Sequence, residues 1–159
     1  MADTKTSTKR RSSATTSSNV LSEEERAAMQ ETVRERKQAA KLNPEEARAQ
    51  GEADVQAKIA EMPEADRVLA EHVHAVVTAT APDLAPKTWY GMPAYADEAG
   101  KVVVFFQNAG KFKYRYCTVG FQDAAHLDDG DLWPVAYAVT AWSAAVEKQL
   151  VALVEKAVS

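Results

Sequence analysis

The sequence predicts a two-layer α+β protein: an antiparallel sheet of four to five strands with helices packed on one face, preceded by a helical extension and a disordered tail. Three observations carry this. The apolar period is helical over residues 22–80, strand-like over 88–119 and helical again over 141–158. No strand–helix–strand alternation appears, which favours antiparallel pairing. All twelve aromatic residues fall between Trp89 and Trp142, and residues 1–50 contain none, so the core belongs to the second two-thirds of the chain. The organisation read from this is a disordered tail at 1–21, a helical extension at 22–50 and an α+β domain at 51–159.

Residues 1–20, "MADTKTSTKRRSSATTSSNV", hold too little apolar surface to order themselves. Their "KRR" at 9–11 beside serines would suit a phosphorylation-switched electrostatic arm. Ser22 and Glu25 form a capping box, and Glu23, Glu24 and Glu25 suit a helix N-terminus. That helix runs to about Lys41, and Pro44 opens a new first turn. Its apolar side is only Leu21, Met29 and Val33 among alanines, which predicts loose docking or association with a partner. Val55, Ile59 and Met62 continue a helix to the break at Pro63. Val68, Leu69, His72, Val73, Val76, Val77 and Thr80 then form one broad apolar face, ended by "APDLAP" at 81–86.

The strands follow. A kinked strand is expected over 88–97, turned by "DEAG" at 97–100 into the apolar strand Lys101–Gln107. "QNAG" at 107–110 reads as a hairpin into a strand over Lys111–Val119. In that strand Lys111, Lys113, Arg115 and Cys117 would share one face, with Phe112, Tyr114, Tyr116 and Thr118 on the other. "WPVAYAVT" at 133–140 is a further strand. Ala141–Val158 is an amphipathic helix with Val146, Leu150, Leu153, Val154 and Ala157 in line.

Charge and composition narrow the function. Residues 1–50 carry 10 Lys/Arg and 8 Asp/Glu, net +2, whereas residues 51–159 carry 9 and 15, net −6. An acidic body argues against nucleic-acid binding, which leans on neutralising phosphates. Cys117 is the single cysteine, so no intramolecular disulfide and no cysteine-based zinc site can form. The N-terminus lacks an apolar signal segment, and the run "VVVFF" at 102–106 is far too short for a membrane span. A cytoplasmic location is expected. No nucleophile–base motif and no Gly-rich phosphate loop is present, so the chain is read as non-catalytic.

The stretch "YGMPAYA" at 90–96, followed by "GKVVVFFQNAGKFKYRY" at 100–116 and a Leu- and Val-rich last helix, resembles the bacterial frataxin-like iron-chaperone family, a domain-of-unknown-function group. The resemblance covers roughly residues 52–158. It implies a compact α+β fold, weak Fe(II) binding as cargo, and an iron–sulfur or haem assembly protein as partner.

Three clusters could carry such chemistry. In "HLDDGDLW", His126, Asp128, Asp129 and Asp131 offer oxygen and nitrogen ligands suited to iron, with Gly130 allowing the loop to fold around an ion. The same residues also read as a solvated acidic turn. A small-ligand, anion or protein-binding site would instead use Trp89, Tyr90, Met92 and Tyr95 with the Lys111, Lys113 and Arg115 face. Those charges repel unless something anionic faces them, such as helix acids, a phosphate or an acidic partner. On the 64–80 helix, His72 is expected at the core edge and His74 facing solvent. Cys117 reads as a small residue within a strand.

Overall fold

A computed structural model describes residues 21–159. The tail and its "KRR" segment lie outside the described residues. Five helices and one five-stranded antiparallel sheet follow in the order α1 (Glu23–Ala39), α2 (Pro44–Ala60), α3 (Glu64–Thr80), β1 (Ala85–Trp89), β2 (Met92–Ala96), β3 (Val102–Gln107), α4 (Ala109–Phe112), β4 (Cys117–Phe121), β5 (Ala136–Val139) and α5 (Ala144–Val158). The sheet is a plain meander in which each strand pairs with the next. This is the α+β fold that the pattern predicts.

Local chemistry sets the helix starts. Ser22 and Glu25 close the expected capping box, and Asn43 with Glu46 closes a second, with Pro44 in the first turn. Ser143 caps α5 by accepting from the Val146 N–H. The helix α2 runs unbroken across residues 50 and 51, so the boundary drawn there falls inside one element. Gly51 lets α2 lie flush on β1: a Cβ there would come within 2.0 Å of the Pro86 carbonyl oxygen.

Register assigns the two faces of the sheet. Tyr95, Val104 and Phe121 stand in one row, and Phe106, Val119 and Tyr137 in another. This face packs on Val55 and Ile59 of α2, Val73 and Val77 of α3, and Leu150 and Val154 of α5. Burying so many branched side chains is the main stabilising term. The other face carries the row Lys87–Ala94–Phe105–Gly120–Ala136. Phe105 lies flat over Gly120, where a Cβ would meet its ring at 2.2 Å.

Two predicted strands are corrected. The stretch 88–97 is not one kinked strand. It holds the end of β1, a two-residue turn at Tyr90–Gly91, and β2, with Trp89 paired to Met92. Both turn residues have positive φ, 51° and 70°, the signature of the type I′ hairpin turn. The Lys111–Val119 strand is also absent. Residues 109–112 form the single turn α4, Lys113 is left-handed at φ 57°, and pairing begins only at Cys117. Lys111, Lys113 and Arg115 therefore share no strand face. The "DEAG" turn stands as expected: Asp97 and Lys101 close it, and Gly100 takes φ 77°.

Candidate functional site

The Tyr90–Gly91 turn is gripped by α1. Thr32 Oγ1 accepts from the Tyr90 N–H at 2.9 Å, and Glu35 accepts from the Gly91 N–H at 3.1 Å. Lys111 donates to the Tyr90 carbonyl at 3.1 Å and to Glu31 at 2.7 Å. Glu31 also pairs with Lys58 of α2 at 3.6 Å, and Glu24 pairs with Lys113. Glycine suits position 91 twice over: its φ of 70° is left-handed, and a Cβ there would sit 1.6 Å from Glu31 Oε2 and 2.0 Å from Lys111 Nζ, so the pair would have to shift. Leu21, Met29 and Val33, the apolar side expected to dock, are 38%, 49% and 54% exposed. The helix instead buries Ala28 and Thr32 and holds on by charge.

These charges shift one another. The Lys113 ammonium holds the Glu24 carboxyl below its ordinary range. Burial pushes the Glu31 carboxyl up, but Lys111 and Lys58 outweigh it and hold it low. Two of the three cations predicted to await an anion are thus already paired with acids of α1. Arg115 lies 5.1 Å over the Tyr116 ring.

Behind the clasp, α1, α2 and β1 enclose a cleft of about 370 Å³. Its walls include Ala39, Ala40, Leu42, Ala47 and Gly51, with Trp89 closing the strand side. Arg36 and Lys87 line it too, and both also line an adjoining trough with Lys101 and Asp123. Among the described residues neither Arg36 nor Lys87 belongs to an ion pair. The two carboxylates of the cleft are engaged: Glu35 by the Gly91 N–H, and Asp54 by Gln50 at 2.8 Å. Among the described residues all four charges of the cleft thus lack an ion-pair partner, but the two carboxylates are held by neutral donors while Arg36 and Lys87 have no side-chain hydrogen bond, in a chain of net charge −4. Trp89 is braced by Tyr90, edge-on at 4.8 Å, and by Phe105 at 5.2 Å.

The other expected residues distribute as follows. Met92 is buried in β2. Tyr95 is 1% exposed. Its hydroxyl meets His74 Nδ1 at 2.8 Å, while His74 Nε2 meets Glu52 at 2.9 Å. His74 therefore faces inward, opposite to its expected direction. His72 is the exposed one, stacked on Trp142 at 4.7 Å. The reason is that α2 packs beside α3 and covers the flank the helical pattern assigned to solvent. Cys117 is buried and donates to Asp66 at 3.3 Å; burial, reinforced by that carboxylate, pushes its thiol up to about 11.

The iron loop does not assemble. Asp128, Asp129 and Asp131 are exposed, and His126 Nδ1 lies 3.0 Å from the Ser159 carbonyl. Among the described residues no three His, Cys, Asp or Glu side chains come together as a metal site. His126 instead lines a basin of about 560 Å³ with Asp83, Asp97, Glu98 and Asp123, drawn from three separate loops.

Comparison of the chain with family models, curated proteins and solved structures gives no match. No described helix is long and apolar enough to cross a membrane. The site residues missed in the sequence are Arg36 and Lys87. Nothing in their spacing, 51 positions apart, links them; only the docking of α1 on β1 does.

Proposed function

We propose that this chain is a non-catalytic binding module for a small anion, held between α1 and β1 by Arg36 and Lys87 beside Trp89. The observation that carries it is a pair of cations, without ion-pair partners among the described residues, on a walled cleft whose two carboxylates, Glu35 and Asp54, are already held by neutral donors. It replaces the Lys113 and Arg115 face with a different pair of charges but keeps Trp89. The test is an NMR titration with sodium acetate and with phosphate. Shifts should cluster on Trp89, Lys87 and Arg36 and vanish in Arg36→Gln/Lys87→Gln; scattered or absent shifts sink the reading.

A second reading follows the family resemblance: weak Fe(II) binding for delivery to an assembly partner. The basin around His126 is the more acidic location, with four carboxylates and Lys101 on its border, but these do not converge as a ligand set, so it would hold Fe(II) only as a loosely attracted cation. Anaerobic Fe(II) calorimetry should show heat that falls in Asp97→Asn/Asp123→Asn. Equal heat in that variant and in Asp128→Asn/Asp129→Asn/Asp131→Asn would remove both locations.

A further inference from the structure

Resting on the anion reading, we infer that the ligand is a flat aromatic acid, its ring lying in the cleft against Trp89 and its anionic group at Arg36 and Lys87. Three features of the cleft select the ring. Its volume, about 370 Å³, suits one or two fused rings rather than a bare inorganic ion. One side of its lining is small and apolar, Ala39, Ala40, Ala47 and Gly51 with Leu42, while Thr32, Gln50 and Thr88 supply the uncharged polar part. The apolar side offers a smooth wall for a flat ring.

The third feature is the rigidity of Trp89. Its indole is held by Tyr90 on one side and Phe105 on another. Phe105 in turn is seated on the only residue type that leaves it room, Gly120. Tyr90 is fixed by backbone bonds to Thr32 and Lys111. An indole already ordered loses little freedom when a second ring packs on it. The charges then set orientation: Arg36 comes from the last turn of α1 and Lys87 from β1, so an acid group between them leaves the ring directed along the alanine wall.

The experiment compares 2-naphthoate with acetate on the full chain by NMR and calorimetry. Naphthoate should bind at least about tenfold more tightly, the scale of one aromatic contact added to its area burial. Trp89→Leu should erase that advantage while leaving the acetate shifts at Arg36 and Lys87. Because Trp89→Leu could loosen the hairpin, Ala47→Leu gives an independent check: it should block naphthoate and spare acetate. Equal affinity for the two acids, or an advantage that survives both variants, overturns the aromatic inference while the anion reading stands. Absence of binding by either acid overturns both.

Discussion

The helices α1 and α5 flank the same sheet but are attached by different physics. The helix α5 buries Leu150, Val154 and Ala157 in the core and has no ion pair among the described residues. The helix α1 buries one alanine and one threonine and relies on Glu24, Glu31 and Glu35 against Lys58, Lys111, Lys113 and the Gly91 N–H. Apolar burial holds no charge to screen or titrate; part-exposed ion pairs are screened by salt and titrated by pH. One fold therefore carries a firmly packed helix and a conditionally docked one.

The comparison can be broken most forcefully in the core. Phe106→Ala should lower global stability by about 3–5 kcal/mol, releasing α5 and the sheet together in denaturant unfolding. Tyr95→Phe should cost less, about 1–3 kcal/mol, by leaving His74 Nδ1 without its partner between α2 and α3. A global loss as large as that of Phe106→Ala would mean that the Glu52–His74–Tyr95 chain, rather than apolar packing, ties α3 down.

Gly91→Ala attacks the other attachment. It places a Cβ into the Glu31–Lys111 pair and forces alanine into a left-handed turn position, at about 1–3 kcal/mol. Hydrogen exchange should then accelerate over 23–39 while α5 stays protected. If α5 loosens equally, the two helices are one cooperative unit.

Titration sharpens the contrast further. Glu24 and Glu31 have folded pKa values below their ordinary 4.5. Their contribution is present above that value and is lost as pH falls through the lower folded values. Exchange in α1 should rise below about pH 4.5, and rise also with salt at neutral pH, before the core responds. The smallest effect concerns Cys117. With its thiol pushed up to about 11 and buried, it should react with a disulfide reagent at pH 8 far more slowly than in the unfolded chain.

Much of the scaffold was legible because local rules agreed with packing. The Ser22–Glu25 box, the "DEAG" turn and the stripe of Leu69, Val73, Val76 and Val77 all stand where periodicity and capping put them. The Tyr90–Gly91 turn was hidden because tyrosine rarely takes positive φ; here α1 and Lys111 hold it there. The alternation at 111–117 mimicked a strand because alternate lysines also suit a tight helical turn whose charges reach back to α1. The candidate site was unreadable for a related reason. Its wall is a helix whose apolar residues point outward, so no pattern in the sequence said which side docks.

That wall has a thermodynamic meaning. A helix fastened by ion pairs opens as a unit of its own, at a lower free energy than the sheet behind it. A molecule lodged between Trp89 and Arg36 can bind only chains in which α1 is closed, so the measured affinity is the intrinsic one scaled by the closed fraction. Ionic strength thereby acts on that affinity from a distance, through Glu31 and Lys111, neither of which lines the cleft.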